Sequence, residues 1–376
     1  MRKVFAAALA ALAVFSVLPR ASALAESAGS AILMDADSGR VLFARNADEK
    51  RLIASTTKLM TALVAAQRIP DLEREVTVRA EWLHTEGSSI YLRPGEVITV
   101  EALLCGLLLE SGNDAADVLA YVCAGSLEAF AELMNRTAAR LGMDSSHFAN
   151  PSGLNDEAHY STARDMAVLG AACLKNAVVA KICAQRTARF GERTFRNHNR
   201  LLGLYEGCVG MKTGYTRLAG RTLVSAARRN GQTLVAVTLN DPDDWRTHAA
   251  LLDYGFSAYP ARALCEAGEV FGTVPVAGSL IPFVDVAAAE TFSYPLADGE
   301  SAQISVERPP AVSAPVLRGE CAGRMVYHLN GAVIGEVELR YVQSAYRDAL
   351  QRQTLLQRLL SAILGERVTV MKREQK

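Results

Sequence analysis

Ser55-Thr56-Thr57-Lys58 stands immediately before an apolar run, Leu59-Met60-Thr61-Ala62-Leu63-Val64-Ala65-Ala66. The run predicts a helix, and the serine stands where that helix would begin. A hydroxyl there lies near free backbone N–H groups and the positive end of the helix dipole. If Ser55 enters the first turn, positions i and i+3 share a face and Lys58 lies beside it. A serine hydroxyl is a poor nucleophile until a neighbouring base takes its proton, and a partly desolvated lysine can be that base. The plainer reading is a capped helix with a solvated lysine.

Two stretches downstream favour the chemical reading. From Glu101 the chain turns helical through Leu103, Leu104, Leu107 and Leu108, apolar nearly all round and so buried. It then meets Ser111-Gly112-Asn113, ahead of a second helical run from Ala115 to Ala124. Polar side chains between buried helices need partners, although a helix stop with an N-cap would also account for them. The other stretch is Gly210-Met211-Lys212-Thr213-Gly214, beside two β-rich runs, 221–227 and 233–239, joined through Asn230-Gly231. Asn-Gly between such runs is a strong hairpin signal. Lys212-Thr213-Gly214 is therefore expected on or beside a strand edge. There Lys212 can attract a carboxylate, Thr213 can hydrogen-bond it, and Gly214 leaves room along the edge.

Residues 1–25 read as a secretory signal peptide: Arg2 and Lys3, an apolar stretch from Val4 to Leu18, and small-x-small sites ending at Ala23 and Ala25. Without them the chain carries 37 basic against 40 acidic residues, which excludes a strongly basic nucleic-acid binder. Seven cysteines show no C-x-x-C spacing, so neither a metal nor a redox motif is expected. A disulfide outside the cell and buried free thiols both remain open. Short strands flank Asp35-Ala36-Asp37-Ser38-Gly39. Helices are expected over 127–141 behind Ser126, from Ser161-Thr162 to about Leu174, and over 245–254. Beyond about residue 262, short apolar stretches (270–274, 280–284, 302–306, 334–341) alternate with Gly, Pro and acidic turns, which predicts a small all-β domain over 263–342. In 343–376, Leu355, Leu356, Leu359, Leu360 and Ile363 fall on one helical face, and basic residues outnumber acidic ones. Such a helix suits a membrane interface, a packing face on its own domain or an oligomer seam.

Taken together, Ser55-x-x-Lys58, Ser111-Gly112-Asn113 and Lys212-Thr213-Gly214 resemble, in order and spacing, the signature of the penicillin-recognising serine enzymes. The stretches 86–92, 108–116, Asn150-Pro151-Ser152-Gly153-Leu154, 160–165 and 251–256 look like the serine-type D-alanyl-D-alanine carboxypeptidases, which are low-molecular-mass penicillin-binding proteins. The resemblance implies an α/β (α+β) β-lactamase/transpeptidase-like domain over 26–262, with an antiparallel sheet and a helical subdomain. A small β-sandwich domain and a C-terminal amphipathic helix would follow. It implies that Ser55 attacks the carbonyl between the two terminal D-alanines of a peptidoglycan pentapeptide stem and forms an acyl-enzyme, as it would with β-lactams. Lys58 would be the base, Ser111 a proton relay and Asn113 an orienter of the substrate amide. Lys212 and Thr213 would hold the terminal carboxylate, and the N–H groups of Ser55 and Tyr215 would form the oxyanion hole. No metal or cofactor is implied.

Two departures stand out. Many relatives carry an arginine shortly before the LLDYGF-like stretch, where this chain has Asp243-Asp244-Trp245 and then Arg246. Ser152 stands where many relatives have histidine. A class A-like β-lactamase is the nearest alternative, but Pro151 occupies the place of its water-positioning glutamate. A non-catalytic wall-binding protein is the alternative of another kind, and the intact Ser55, Lys58 and Lys212 speak against it.

Overall fold

A computed structural model describes residues 24–84 and 86–348. They divide into two compact units that meet between Pro260 and Ala261.

The first unit is built on one antiparallel sheet. The chain enters through β1 (Ser30–Asp35) and β2 (Val41–Arg45), then reaches a 3₁₀ turn (Ala54–Thr57) that runs into α1 (Lys58–Arg68). A short ladder of β3 (Glu75–Thr77) and β4 (Val97–Thr99) precedes the helical part. That part comprises α2 (Val100–Leu109), α3 (Asn113–Ala124), α4 (Leu127–Arg140), α5 (Ala163–Lys175) and α6 (Ala177–Cys183). A hairpin of β5 (Thr187–Phe190) and β6 (Arg193–Arg196) and the single-turn α7 (Leu201–Leu204) lead back to the sheet. β7 (Cys208–Thr216), β8 (Gly220–Arg229) and β9 (Gln232–Leu239) complete it, and α8 (Asp244–Ala258) closes the unit. The strand order is β2-β1-β9-β8-β7, so the Lys-Thr-Gly strand β7 forms one edge.

Local chemistry accounts for many of these boundaries. Ser126 Oγ accepts from Ala129 N at 3.1 Å and Thr162 Oγ1 from Asp165 N at 3.0 Å, each capping the helix that follows. The β8–β9 turn has φ +50° at Asn230 and +79° at Gly231, the two left-handed residues a tight hairpin requires. The sheet's alternation fills two cores. One face (Val224, Ala226, Val235, Val237) packs with α1, α2 and α5. The other (Leu223, Ala227, Leu234, Ala236) packs with Leu251 and Leu252 of α8. The expected leader lies outside the described residues except for Leu24 and Ala25, which are buried in the α8-side core.

The second unit is all-β. β10 (Ala261–Cys265) pairs with β13 (Phe292–Pro295). A six-stranded sheet runs β14-β16-β17-β12-β11-β15, from β11 (Val270–Ala277), β12 (Phe283–Ala288), β14 (Gln303–Glu307), β15 (Val312–Ser313), β16 (Cys321–Leu329) and β17 (Ala332–Tyr341). The strand expected over 280–284 begins only at Phe283, because Gly278 at φ +79° and Pro282 turn the chain there. The expected C-terminal helix lies outside the described residues from 349 onward. All seven cysteines are free thiols, and Cys105, Cys173, Cys183 and Cys265 are buried. Among the described residues no single helix is long and apolar enough to cross a membrane.

His248 of α8 is wholly buried between Ser225 Oγ (2.6 Å) and Thr238 Oγ1 (3.0 Å). Burial pushes its pKa down to about 3. The unfolded chain takes up this proton below about pH 6.5, whereas the folded one resists it. Its contribution is therefore intact above pH 6.5 and lost as pH falls toward 3. Denaturation midpoints should drop as pH is lowered from 6.5 to 4, and His248→Gln should show a shallower drop than the parent. Equal slopes would place the acid sensitivity elsewhere.

Candidate active site

The plainer reading of the opening motif fails on burial. Lys58 is fully buried and the serine caps nothing. Ser55 sits in the 3₁₀ turn directly after Ala54, whose φ of +46° is left-handed. An alanine pays for that conformation, so surrounding contacts must hold it. The loop 150–154 does so. Gly153, at φ +84°, lies so close that a Cβ there would stand 2.0 Å from Ala54 O and 2.8 Å from Thr57 Oγ1. Asn150 Oδ1 ties the loop by accepting from the N–H groups of Ser152 (3.2 Å) and Gly153 (2.8 Å). Pro151 O accepts from Thr61 Oγ1 at 2.6 Å, and Thr57 is tied to His159 at 2.8 Å.

Lys58 Nζ has three oxygens around it: Ser55 Oγ at 2.9 Å, Asn113 Oδ1 at 2.7 Å and Ser152 O at 2.6 Å. None is charged. Burial lowers the lysine pKa well below its ordinary value, and the nearby Lys212 cation lowers it further, against Asp117 and Asp114. A neutral amine has two N–H donors and one lone pair. With both hydrogens directed at the two carbonyl oxygens, the lone pair faces the serine hydroxyl.

Asn113 is brought there by the break between α2 and α3. Ser111 occupies that break with φ +66° and is buried. Asn113 Nδ2 donates to Glu86 O, and its own N–H to Ser88 O at 2.7 Å. Asp114 fixes the same loop: its oxygens accept from Ser89 Oγ (2.7 Å), Ile90 N (3.0 Å) and Leu92 N (3.0 Å). The polar break thus clamps the 86–92 loop as well as ending a helix.

The third stretch arrives on an edge strand that is bent just ahead of it. β7 carries a bulge between Cys208 and Gly210, and Met211 has φ +93°. Lys212 follows, 1% exposed, with Nζ donating to Thr213 O at 2.9 Å. Burial brings its pKa down to about 8, with Cys183 and Glu110 opposing. A Cβ on Gly214 would stand 2.4 Å from Thr222 Oγ1, 2.9 Å from Ser55 N and 3.0 Å from Thr56 N. The bare glycine thus lies directly beside the backbone amide of Ser55. Tyr215 is the next residue of the edge and is exposed.

Arg246 is 83% exposed and ion-paired to Asp243, the residue before α8. The residue pattern did not single out Arg221. It opposes Tyr215 across the β7–β8 ladder, while Thr213 opposes Leu223 on the same face. Its Nε and Nη2 are held by the two oxygens of Asp244 at 3.1 and 2.9 Å, and its guanidinium lies over Trp245. The Asp244 carboxyl is raised by burial despite this partner. Asn150, Ser152 (through its carbonyl), Asp114 and Thr222 were likewise not read as part of the site, since their contributions are contacts with remote segments.

The family profile described as D-alanyl-D-alanine carboxypeptidase matches residues 18–243. The chain belongs to that family. Residues 259–346 match the penicillin-binding protein 5 C-terminal domain. D-alanyl-D-alanine carboxypeptidase DacF of Bacillus subtilis is 32% identical over 332 residues, covering 84% of this chain and 85% of that protein. D-alanyl-D-alanine carboxypeptidase DacC of Escherichia coli is 34% identical over 322 residues, covering 81% and 80%. Penicillin-binding protein 5 from Haemophilus influenzae superposes with a TM-score of 0.71 at 28% identity, covering 85% of this chain and 98% of that one. The carboxypeptidase reading holds at the level of family, fold and enzyme activity.

Gly153 tests how far the nucleophile turn depends on its neighbour loop. Gly153→Ala should cost more than the ~1 kcal/mol usual for alanine at a left-handed site, because its Cβ also meets Ala54 O. Chemical denaturation measures this, and a change under ~0.5 kcal/mol would mean that the loop yields freely.

Proposed function

We propose that this carboxypeptidase removes the terminal D-alanine of peptidoglycan pentapeptide stems through an acyl-enzyme on Ser55. The observation that carries the reading is a fully buried Lys58 Nζ, 2.9 Å from Ser55 Oγ and hydrogen-bonded only to uncharged oxygens among the described residues. Lys58 takes the hydroxyl proton as Ser55 attacks the carbonyl of the penultimate D-alanine. The tetrahedral oxyanion is met by the N–H groups of Ser55 and Tyr215, between which Gly214 leaves space. Ser111 passes the proton to the departing amine and Asn113 orients the substrate amide. Water then hydrolyses the ester and restores Ser55. β-Lactams enter by the same attack and acylate the same oxygen.

The terminal carboxylate is held by Lys212, Thr213 and Arg221. Asp244 grips the guanidinium of Arg221 along its Nε/Nη2 side, which leaves Nη1 for an anion. Diagonal neighbours on one face of a ladder are within reach of a long side chain, which supports joint action with Thr213. In this reading Arg221, not Arg246, takes the part of the arginine that relatives carry ahead of the LLDYGF-like stretch. The chain is exported by its leader and works outside the cytoplasmic membrane. Its basic, amphipathic 349–376 segment contacts the lipid interface.

Fluorescent penicillin should label the chain covalently and Ser55→Ala should abolish the label. Persistent labelling in that variant would end this mechanism. D-Alanine release from a pentapeptide stem analogue separates a carboxypeptidase from a silent binder.

Activity requires Lys58 neutral and Lys212 charged. Because both lysine pKa values are depressed, kcat/KM should rise with pH as Lys58 deprotonates and fall as Lys212 loses its proton near pH 8. Lys212→Arg should move the alkaline limb upward, since the guanidinium stays charged. An unmoved limb would assign it to another group. Arg221→Gln should raise KM for the carboxylate substrate about tenfold or more, with little change for the same peptide amidated at its C-terminus. Equal losses on both would make Arg221 structural only.

A further inference from the structure

More than half of the exposed large apolar side chains described in the second unit gather at one end of it. Leu280, at 81% exposure, Ile281 and Phe283 lie in and beside the β11–β12 connection. Leu317, Val342 and Tyr346 are exposed on the segments that meet it. The convergence is fixed by hydrogen bonds. Ala314 N donates to Ala277 O at 2.8 Å, Val316 pairs with Ala345, and Arg318 N donates to Ser344 Oγ at 2.9 Å. Gln343 Nε2 donates to Phe283 O at 3.4 Å. Leu280 is therefore presented by a braced turn with no charged residue from Val276 to Val284. Elsewhere the sheet surface is differently made: ion pairs of Arg324 with Glu307 and Glu336 cross β14, β16 and β17, and Arg340 pairs with Glu338 along β17.

An exposed apolar cluster of this kind marks a contact surface. What it contacts is indicated by where the chain goes next. Asp348, the last described residue, donates its N–H to Gly278 O at 2.9 Å, which ties it to the turn that carries Leu280, and 28 residues follow it in the sequence. Their sequence holds Arg352, Arg358, Arg367, Lys372, Arg373 and Lys376 against Glu366 and Glu374, together with the leucine stripe. Cations beside an apolar face suit an anionic bilayer surface.

We propose that this end of the second unit is itself a membrane contact, with Leu280, Ile281 and Phe283 entering the interface of an anionic bilayer beside the 349–376 segment. The folded unit would then bind lipid at two places, the turn and the segment, joined through Asp348 and Gly278. Two linked contacts bind more tightly than either alone, because the second is made at high effective concentration.

The inference rests on the lipid reading of 349–376, and one experiment separates the two. The full chain is sedimented with vesicles of phosphatidylcholine containing 30% phosphatidylglycerol, a composition of about physiological charge. Leu280→Ser with Phe283→Ser should reduce the bound fraction at least fivefold while D-alanine release from a soluble peptide stays unchanged. If the parent chain does not bind, the lipid reading of the segment fails. If parent and variant bind alike, the segment acts alone and this inference fails. In a Leu280→Trp chain, brominated lipid should quench the added emission and shift it to the blue relative to the parent. Emission already blue without vesicles would mean that the segment or a second copy covers the turn, and would overturn the inference, as would emission that vesicles leave unchanged.

Discussion

A fully buried lysine with no carboxylate in hydrogen-bond contact among the described residues is the constraint on which the first unit depends. Lys58 Nζ bonds to one hydroxyl and two carbonyl-type oxygens, and burial drives it toward the neutral amine. Each oxygen comes from a different part of the chain. Ser55 is on the turn before α1, Asn113 opens α3, and Ser152 is in the loop ahead of α5. Loss of any one would leave a buried amine hydrogen unpaired or its lone pair without the serine, at a cost of ~1–3 kcal/mol. The apolar α1, α2 and α5 around it are therefore more than filler. They keep water out, and burial away from water lowers the pKa of the amine.

Holding these groups requires backbone that the chain would not adopt by itself. Tyr91, Ala54, Ser111 and Met211 all have positive φ, and each lies within or beside one of the stretches that carry chemistry. Such residues cost ~1–3 kcal/mol apiece and persist only where neighbours over-determine them. Those neighbours are identifiable. Asp114 takes three hydrogen bonds from the 89–92 loop around Tyr91, and Gly153 fits against Ala54 O where no side chain could. Gly210 does the same beside Met211, where a Cβ would stand 1.9 Å from Cys183 O. The strain is concentrated where side chains must be aimed. Regular helix and strand around it supply the compensating burial.

Much of this was legible in the sequence because it is local. The Ser126 and Thr162 caps, the Asn230-Gly231 hairpin and the apolar periods of α2 and β9 follow from residues within a few positions of each other. Position in space is another matter. The carbonyl of Ser152 reaches Lys58 across 94 positions, and no side-chain pattern announces a carbonyl. Asp114 reads as a helix-start acid, and its work is done on a loop more than 20 residues away. The expectation for 280–284 failed on a single turn: an apolar pentapeptide reads as a strand until Gly278 and Pro282 turn its first half out of the sheet. The Cys321–Leu329 strand was not singled out, although Met325, Tyr327 and Leu329 are buried in alternation with Arg324 and His328 on the other face.

Arg246 and Arg221 show how sequence proximity and spatial placement can differ. Arg246 is near in sequence to the place relatives use, yet it turns outward to Asp243. Arg221, farther away in sequence, comes to the strand beside Lys212-Thr213-Gly214 and is gripped by Asp244, only 2% exposed. A carboxylate that deep is stable as an anion only with such a partner, and a guanidinium held on one side is pre-aimed on the other. The acid and the arginine thus form one unit. In the proposed carboxylate clamp, the acid at position 244 orients the arginine it holds. In the proposed mechanism the site then carries three basic side chains with separate states: Lys58 neutral by burial, Lys212 charged until about pH 8, and Arg221 charged throughout. These states support one another, because the Lys212 cation adds to burial in lowering the Lys58 pKa.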